Sequence, residues 1–220
     1  MMAGKDQCKS DLVSIPEPTL RRLPIYYKFL KMKFNEQDQY VSTTTIAEGL
    51  GLKSIQVRKD LQVTGAVGKP KIGYHIETVI SAIENCLGYN NVKDTLLVGT
   101  GHLGLALLGY QGFEEYGLNI VAGFDTDPQK IGEKHEGKWI YDLTEFSKLA
   151  QRLKIQIGII TTPVNVAQKV CDLMVESGIK AIWNFAPVHL KVPDNVIVQN
   201  ENMTSSLAVL SKQLLERKRS

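Results

Sequence analysis

The run Val98-Gly99-Thr100-Gly101-His102-Leu103-Gly104 constrains this chain more than any other segment. It follows an apolar stretch of strand character, Thr95–Val98, and opens an apolar segment of helix character, His102–Tyr110. Three glycines in the pattern GxGxxG mean little alone; between a strand and a helix they have distinct jobs. Gly99 permits a tight turn, Gly101 lets backbone approach a pyrophosphate, and Gly104 allows helix and strand to pack closely. The helix N-terminus then offers free N–H groups and partial positive charge to phosphate. A second strand, Ile120–Phe124, runs into Asp125, 21 residues after Gly104. A carboxylate there can accept from both ribose hydroxyls and repels a 2′-phosphate, so NAD⁺ and NADH are expected over their phosphorylated forms.

Strands continue to alternate with helices beyond this unit. Further strands are expected at Trp139–Ile140, Ile155–Ile160, Ala181–Asn184 and Val196–Val198, with helices at Leu143–Leu153, Val164–Ser177 and Ser205–Arg217. Near-continuous apolar strands such as Ile155–Ile160 imply burial on both faces and hence a parallel sheet. Ligands bind at the carboxyl ends of such strands. Thr161-Thr162-Pro163 and Asn184-Phe185-Ala186 end two of them, and are candidates for the nicotinamide half of the cofactor.

The first 90 residues read differently. Residues 1–15 are polar and predict a frayed tail. A helix is expected over Leu20–Phe34, with Ile25, Tyr26, Phe29, Leu30 and Met32 on its apolar side and Pro24 at its start or at a kink. Ser42 caps a short helix, Thr43–Leu50, and Ser54 caps a third running to about Thr64. On that third helix Val57, Leu61 and Thr64 share one face, while Arg58, Lys59 and Gln62 lie opposite with Ile55. Gly65 to Tyr74, with Gly68, Lys69, Pro70, Lys71 and Gly73, reads as a tight basic hairpin. A helix over Glu77–Leu87 follows. Helix, short helix, helix and basic hairpin is the order of a winged helix-turn-helix. The turn residues from Gly88 to Lys93 then mark a domain boundary, giving a DNA-binding domain over 1–90 and a Rossmann-like one from 91.

Charge supports this division. Residues 1–90 hold 12 Lys and Arg against 9 Asp and Glu, whereas residues 91–220 hold 14 of each. Over 53–75 the cations Lys53, Arg58, Lys59, Lys69 and Lys71 face Asp60 alone. A local basic surface suits a polyanion. The candidate nucleic-acid contacts are Ser54, Gln56, Arg58, Lys59 and Gln62 on the helix, with Lys69 and Lys71 on the wing. Three scattered cysteines exclude a disulfide scaffold and fit a reducing cytoplasm, and no stretch has the length or apolarity of a membrane span or a signal peptide.

Catalytic equipment is sparse. A dehydrogenase needs a substrate domain and a proton donor beside the hydride. The nucleotide part runs for about 130 residues with one helix after it, and of four histidines only His189 follows a strand end. Metal-ligand spacings, a nucleophile elbow and a Walker loop are lacking. A DNA-reading module joined to a nucleotide module is therefore expected to be a sensor, in which the dinucleotide biases a two-state dimer. The rivals are a small NAD-dependent oxidoreductase and a nucleotide-binding subunit whose basic helix docks a protein.

The sequence resembles the Rex family of bacterial redox-sensing transcriptional repressors. The residues carrying the likeness span the chain: Arg22-Leu23-Pro24-Ile25-Tyr26-Tyr27, Gln56-Val57-Arg58-Lys59-Asp60-Leu61, the wing end Gly73-Tyr74, the glycine turn, Gly123-Phe124-Asp125-Thr126-Asp127-Pro128, and Asn184-Phe185-Ala186-Pro187-Val188. The resemblance implies a homodimer that binds an inverted-repeat operator in double-stranded DNA when NADH is low and releases it when NADH binds. It also implies that the last helix, over 205–220, swaps into the partner, and that Tyr110 takes part in the switch. His102, Lys69-Pro70-Lys71 and Asn202 depart from the family's usual asparagine, arginine–glycine pair and aspartate. Asparagine at 202 keeps hydrogen bonding but loses the charge.

Overall fold

The computed structural model describes residues 15–217, and the chain divides into two compact units, Met1–Asn90 and Asn91–Ser220. The expected polar tail, apart from Ile15, lies outside the described residues.

In the first unit, helix α1 spans Glu17–Asn35, longer than expected. Pro16 is its N-cap and Pro18 sits in its first turn, where a missing N–H breaks no helical bond, so the helix opens at Glu17 rather than at Leu20. Pro24 is accommodated inside. The buried side is Leu23, Tyr26, Tyr27, Phe29 and Leu30; Ile25 and Met32, expected in the apolar stripe, are half exposed. Strand β1, Tyr40–Val41, leads to α2, Thr43–Leu50, where Ser42 Oγ accepts from Thr45 N at 3.0 Å and Gly51 closes the helix in the left-handed region. Helix α3 covers Ser54–Val63. Lys53, not Ser54, holds its cap position and makes no side-chain cap. Strand β2, Tyr74–His75, pairs antiparallel with β1, and α4, Ile76–Leu87, packs along α1. Leu23, Leu30, Ile46, Val57, Leu61 and Ile83 close the core between the helices. This is a winged helix-turn-helix arrangement.

The second unit begins with β3 (Lys93–Val98), α5 (His102–Gly109), β4 (Leu118–Asp125), β5 (Lys134–His135) and β6 (Lys138–Asp142). It continues with α6 (Phe146–Arg152), β7 (Ile157–Ile160), α7 (Val164–Glu176), β8 (Ala181–Asn184), β9 (Ile197–Asn200) and α8 (Met203–Arg217). Seven strands lie in the order β5-β6-β4-β3-β7-β8-β9, all neighbours parallel except β5 and β6. The β5 hairpin was not expected; Glu136 and Gly137, both at positive φ, turn a polar run back on β6. Ile155, expected to begin a strand, is instead buried just before β7.

Alternate residues of the central strand feed opposite layers. Leu96 and Val98 join Phe124, Phe146, Val170 and Met174 under α6 and α7, while Leu97 joins Leu108, Ile120 and Ile159 under α5. Strands on both faces are covered, as the apolar runs require. From β3 the chain first builds outward through β4 and β6, then returns to build β7, β8 and β9 on the other side. The order reverses between β3 and β7, which opens a crevice at their carboxyl ends. No helix among the described residues is long and apolar enough to cross a membrane.

Candidate functional site

The crevice at that reversal is a cleft of about 740 Å³. Gly99 and Gly101 line it after β3, Asp125, Thr126 and Lys130 after β4, and Thr161, Thr162 and Pro163 after β7. Asn165, Val166, Lys169 and Val170 of α7 close one wall with Leu143.

The glycine turn is built by close approach. Gly99 takes φ +98°, a conformation that L side chains rarely adopt. Thr161 Oγ1 donates to Gly99 O at 2.6 Å and to Val98 O at 3.1 Å, tying the β7 end to the turn. A Cβ on Gly104 would overlap the carbonyl oxygen of Gly99. A Cβ on Gly101 would meet nothing within 4 Å, so the backbone there faces open cleft. The first-turn N–H groups of α5 have no partner within the helix.

Asp125 lines the cleft at the end of β4. Its Oδ2 accepts from Thr100 N (2.8 Å), Thr100 Oγ1 (2.7 Å) and Lys130 Nζ (3.2 Å). Its Oδ1 accepts from Thr126 N (2.8 Å) and Asp127 N (3.1 Å). Burial alone would raise the pKa of this carboxyl, but the donations from Thr100, Asp127 and Lys130 outweigh it and hold the pKa at about 2. Asp125 therefore clamps the turn to β4 through Thr100, which is fully buried. All five donors come from the chain itself. Only Lys130 is on a flexible stem, and it also faces Asp127 at 3.6 Å.

A dinucleotide fits these groups. Among the described residues, Thr162 Oγ1 is the buried side-chain polar atom without a hydrogen-bond partner, and it belongs to the cleft. A buried hydroxyl left unpaired is unfavourable unless a ligand satisfies it. Together with open space over Gly101 and a helix N-terminus, it suits a phosphate-bearing ligand.

Other expected residues lie elsewhere. His102 is exposed, Leu103 half-buried, and neither lines the cleft. Asn184 is fully buried and spent internally: its amide donates to Ala186 O, Val188 O and Asn200 Oδ1, and its Oδ1 accepts from Ala186 N. Ala186 is buried, and Phe185 packs on Trp183 with ring centroids 4.8 Å apart. Tyr110 ends α5, exposed, edge-on to Phe113 at 4.8 Å. Lys130, Asn165 and Lys169 were missed. Asn165, Val166, Lys169 and Val170 repeat at helical spacing on α7, the pattern that could have marked that wall.

In the first unit, Arg58, Lys59 and Gln62 are exposed on α3, and Ser54 and Gln56 are half-buried near its start. Lys69 and Lys71 are exposed on the wing. Lys69 and Gly73 bond reciprocally at 2.7 and 2.9 Å, and Lys71 is held at φ +64° between Pro70 and Ile72. Arg58, Lys69 and Lys71 line one open groove with Ser42, Thr43 and Tyr74. The described ion pairs engage none of these cations. Asp60, the lone acid of the basic stretch, is buried on the opposite side of α3.

Comparison with known proteins reaches both units. The family described as Putative DNA-binding protein N-terminus matches residues 14–62, and the CoA binding domain family matches residues 90–188. The redox-sensing transcriptional repressor Rex of Treponema denticola is 45% identical over 91% of the chain and 96% of its own length. Its counterpart in Bacteroides thetaiotaomicron is 38% identical over 93% of each. The crystal structure of RSP in complex with β-NAD⁺ and operator DNA is similar with a TM-score of 0.87 and 34% identity, covering 94% of this chain and 95% of that one. The complex of RSP with β-NADH gives 0.83 and 33%, covering 93% and 96%.

Proposed function

The chain belongs to the Rex family of redox-sensing transcriptional repressors, and from that premise we propose how its two units share the work. The protein is a DNA-binding repressor that senses the NADH/NAD⁺ ratio. It holds an inverted-repeat operator when NADH is low and releases it when NADH binds. The observation that carries this reading is the pairing, in one chain, of a groove lined by Arg58, Lys69 and Lys71 with a glycine-turn cleft whose Thr162 hydroxyl lacks a partner.

Arg58, Lys59 and Gln62 enter the major groove, Ser54 and Gln56 contact phosphate or base edges, and Lys69 and Lys71 hold the minor groove or backbone. In the cleft, Gly101 and the α5 N-terminus take the pyrophosphate. Asp125 keeps the turn in shape and accepts a ribose hydroxyl in exchange for Lys130. Thr161, Thr162 and Pro163 line the path toward the nicotinamide. Phe185 and Tyr110, outside the cleft lining, are reserved for sensing the ring. The reduced and oxidised rings differ in charge and planarity, which gives the ligand something to discriminate.

The reading is regulatory rather than catalytic, in a cytoplasmic protein. Asp125, with its pKa near 2, stays ionised at neutral pH and has no proton to give. The described cleft lining offers no histidine or tyrosine. A homodimer supplies two reading heads for two half-sites spaced by whole turns. The exposed Leu207, Leu210 and Leu214 of α8 support pairing with a second copy. Full release needs NADH to favour the released state by roughly 10⁴-fold, about 5.5 kcal/mol, which two sites in a dimer can share. A mobility-shift titration on a palindromic A/T-rich duplex tests this. NADH should release the DNA, NAD⁺ should not, and NADPH should be much the weaker competitor; operator binding indifferent to NADH removes the reading.

A further inference from the structure

Asp60 lies two residues from Arg58 and next to Lys59, inside the segment assigned to DNA, yet it is only 4% exposed. Three side chains of α1 converge on it. Arg22 donates from Nε at 2.6 Å to Oδ2 and from Nη2 at 2.8 Å to Oδ1. The Tyr26 hydroxyl donates to Oδ2 at 2.7 Å, and the Thr19 hydroxyl to Oδ1 at 2.9 Å. Thr19, Arg22 and Tyr26 recur at helical spacing, so one stripe of α1 grips one carboxylate of α3 along two turns.

The apolar contacts between these helices do not need this. Val57 and Leu61 are fully buried and already supply burial, but the hydrophobic effect is non-directional and leaves a helix free to roll by small angles. A bidentate guanidinium with two hydroxyls on the same carboxylate has one geometry. Buried ion pairs are poor sources of net stability, and their best-attested use is to fix register. Roll matters on α3, because the exposed Arg58 and Gln62 stand two residues to either side of Asp60, on the far side of the helix, and base readout requires paired bonds at defined positions. The network also turns the one negative charge of residues 53–75 away from phosphate and cancels it.

We propose that Asp60, gripped by Thr19, Arg22 and Tyr26, is a positioning residue that sets the roll of α3 and so governs discrimination between operator and random DNA rather than affinity for DNA in general. This rests on the DNA-reading function proposed above, and names what makes that reading selective.

The test uses the full-length protein with Asp60→Asn and, separately, Tyr26→Phe, which removes one hydroxyl from the network. Affinity for an operator duplex and a random duplex of equal length is measured across a salt series, with thermal unfolding and NADH binding alongside. For Asp60→Asn the operator-to-random ratio should fall about tenfold or more, while random-DNA affinity, the salt slope and NADH binding stay as in wild type. Tyr26→Phe should give a smaller loss of the same kind, and carries the test alone if Asp60→Asn does not fold. An unchanged ratio, or equal loss on both duplexes following the unfolding temperature, overturns the proposal. Wild-type protein that fails to prefer its operator overturns the DNA reading itself, and this proposal with it.

Discussion

Asp60 and Asp125 are each the acid that follows a polyanion-facing motif, and each is saturated by donors from its own unit, yet they are built for different work. Asp60 is gripped by side chains 34 to 41 residues away in sequence, on another helix. Asp125 is held by the turn it closes: two backbone N–H groups just after it, the Thr100 N–H and hydroxyl, and a lysine five residues on. The Asp60 side chain is 5% exposed and that of Asp125 14%, in the lining of a cleft. The first acid has no exchangeable donor and can only align what stands behind it. The second has Lys130, a donor that a ligand hydroxyl can replace. Burial with every donor on another helix makes a scaffold; partial burial between two strand ends with one mobile cation makes a site that can respond.

That contrast breaks most sharply at Gly104. Its Cβ position overlaps the carbonyl oxygen of Gly99, backbone that cannot yield without moving the turn. Gly104→Ala should lower NADH affinity by about 100-fold or more, with overpacking of about 1–3 kcal/mol in the second unit. Operator binding should persist but no longer respond to NADH. Calorimetric NADH titration with a parallel mobility shift checks both halves; retained NADH binding would mean the turn is looser than its geometry. Next in size is Arg58→Ala. It should weaken operator binding by about 1–3 kcal/mol and relax selectivity at one base position, leaving NADH affinity alone. Equal loss on operator and random duplexes would reduce Arg58 to a phosphate contact.

What could be read from sequence follows the same division. The glycine turn, Asp125 and the parallel sheet were legible because their chemistry is local: three glycines, a strand before, a helix after, an acid at the next strand end. The α3 face was legible because Val57 and Leu61 recur at helical spacing opposite Arg58, Lys59 and Gln62. Asp60 was not, since nothing near it in sequence announces Thr19, Arg22 and Tyr26. Lys130 and Lys169 were missed for a related reason, as their place in the cleft depends on where the β4 turn and α7 come to rest. Asn184 was read as a site residue from its strand-end position, but its amide is consumed by Ala186, Val188 and Asn200. On α1 both sides of the stripe carry apolar residues, so Ile25 and Met32 looked buried until packing chose Leu23 and Tyr27.

Acid tests what holds the second carboxylate. Both are held below the ordinary aspartate value despite burial, Asp60 by Arg22, Tyr26 and Thr19, and Asp125 at about 2. A group with a depressed folded pKa contributes stability above its unfolded value, here 3.8, and loses it as pH falls through the folded one. Thermal unfolding should therefore be insensitive to Asp125 from neutral pH down to about 4 and should lose its contribution from there to about 2. Asp125→Asn should flatten that acid limb, whereas a limb unchanged in the variant would assign it to other carboxylates.

The smallest effect is expected at the wing. Lys71 is a non-glycine residue at φ +64°, a conformation worth about 1 kcal/mol of strain that glycine does not pay. Its exposed side chain enters none of the described ion pairs, so the turn's own backbone bonds, which glycine would keep, are what hold it there. Lys71→Gly should therefore stabilise the first unit by up to about 1 kcal/mol while weakening every DNA duplex alike and lowering the salt slope by about 1. Unfolding and binding must move in opposite directions. If both improve, the ammonium does not reach phosphate and the strained turn only shapes the hairpin; if the loss is confined to operator, Lys71 reads bases as Arg58 is expected to.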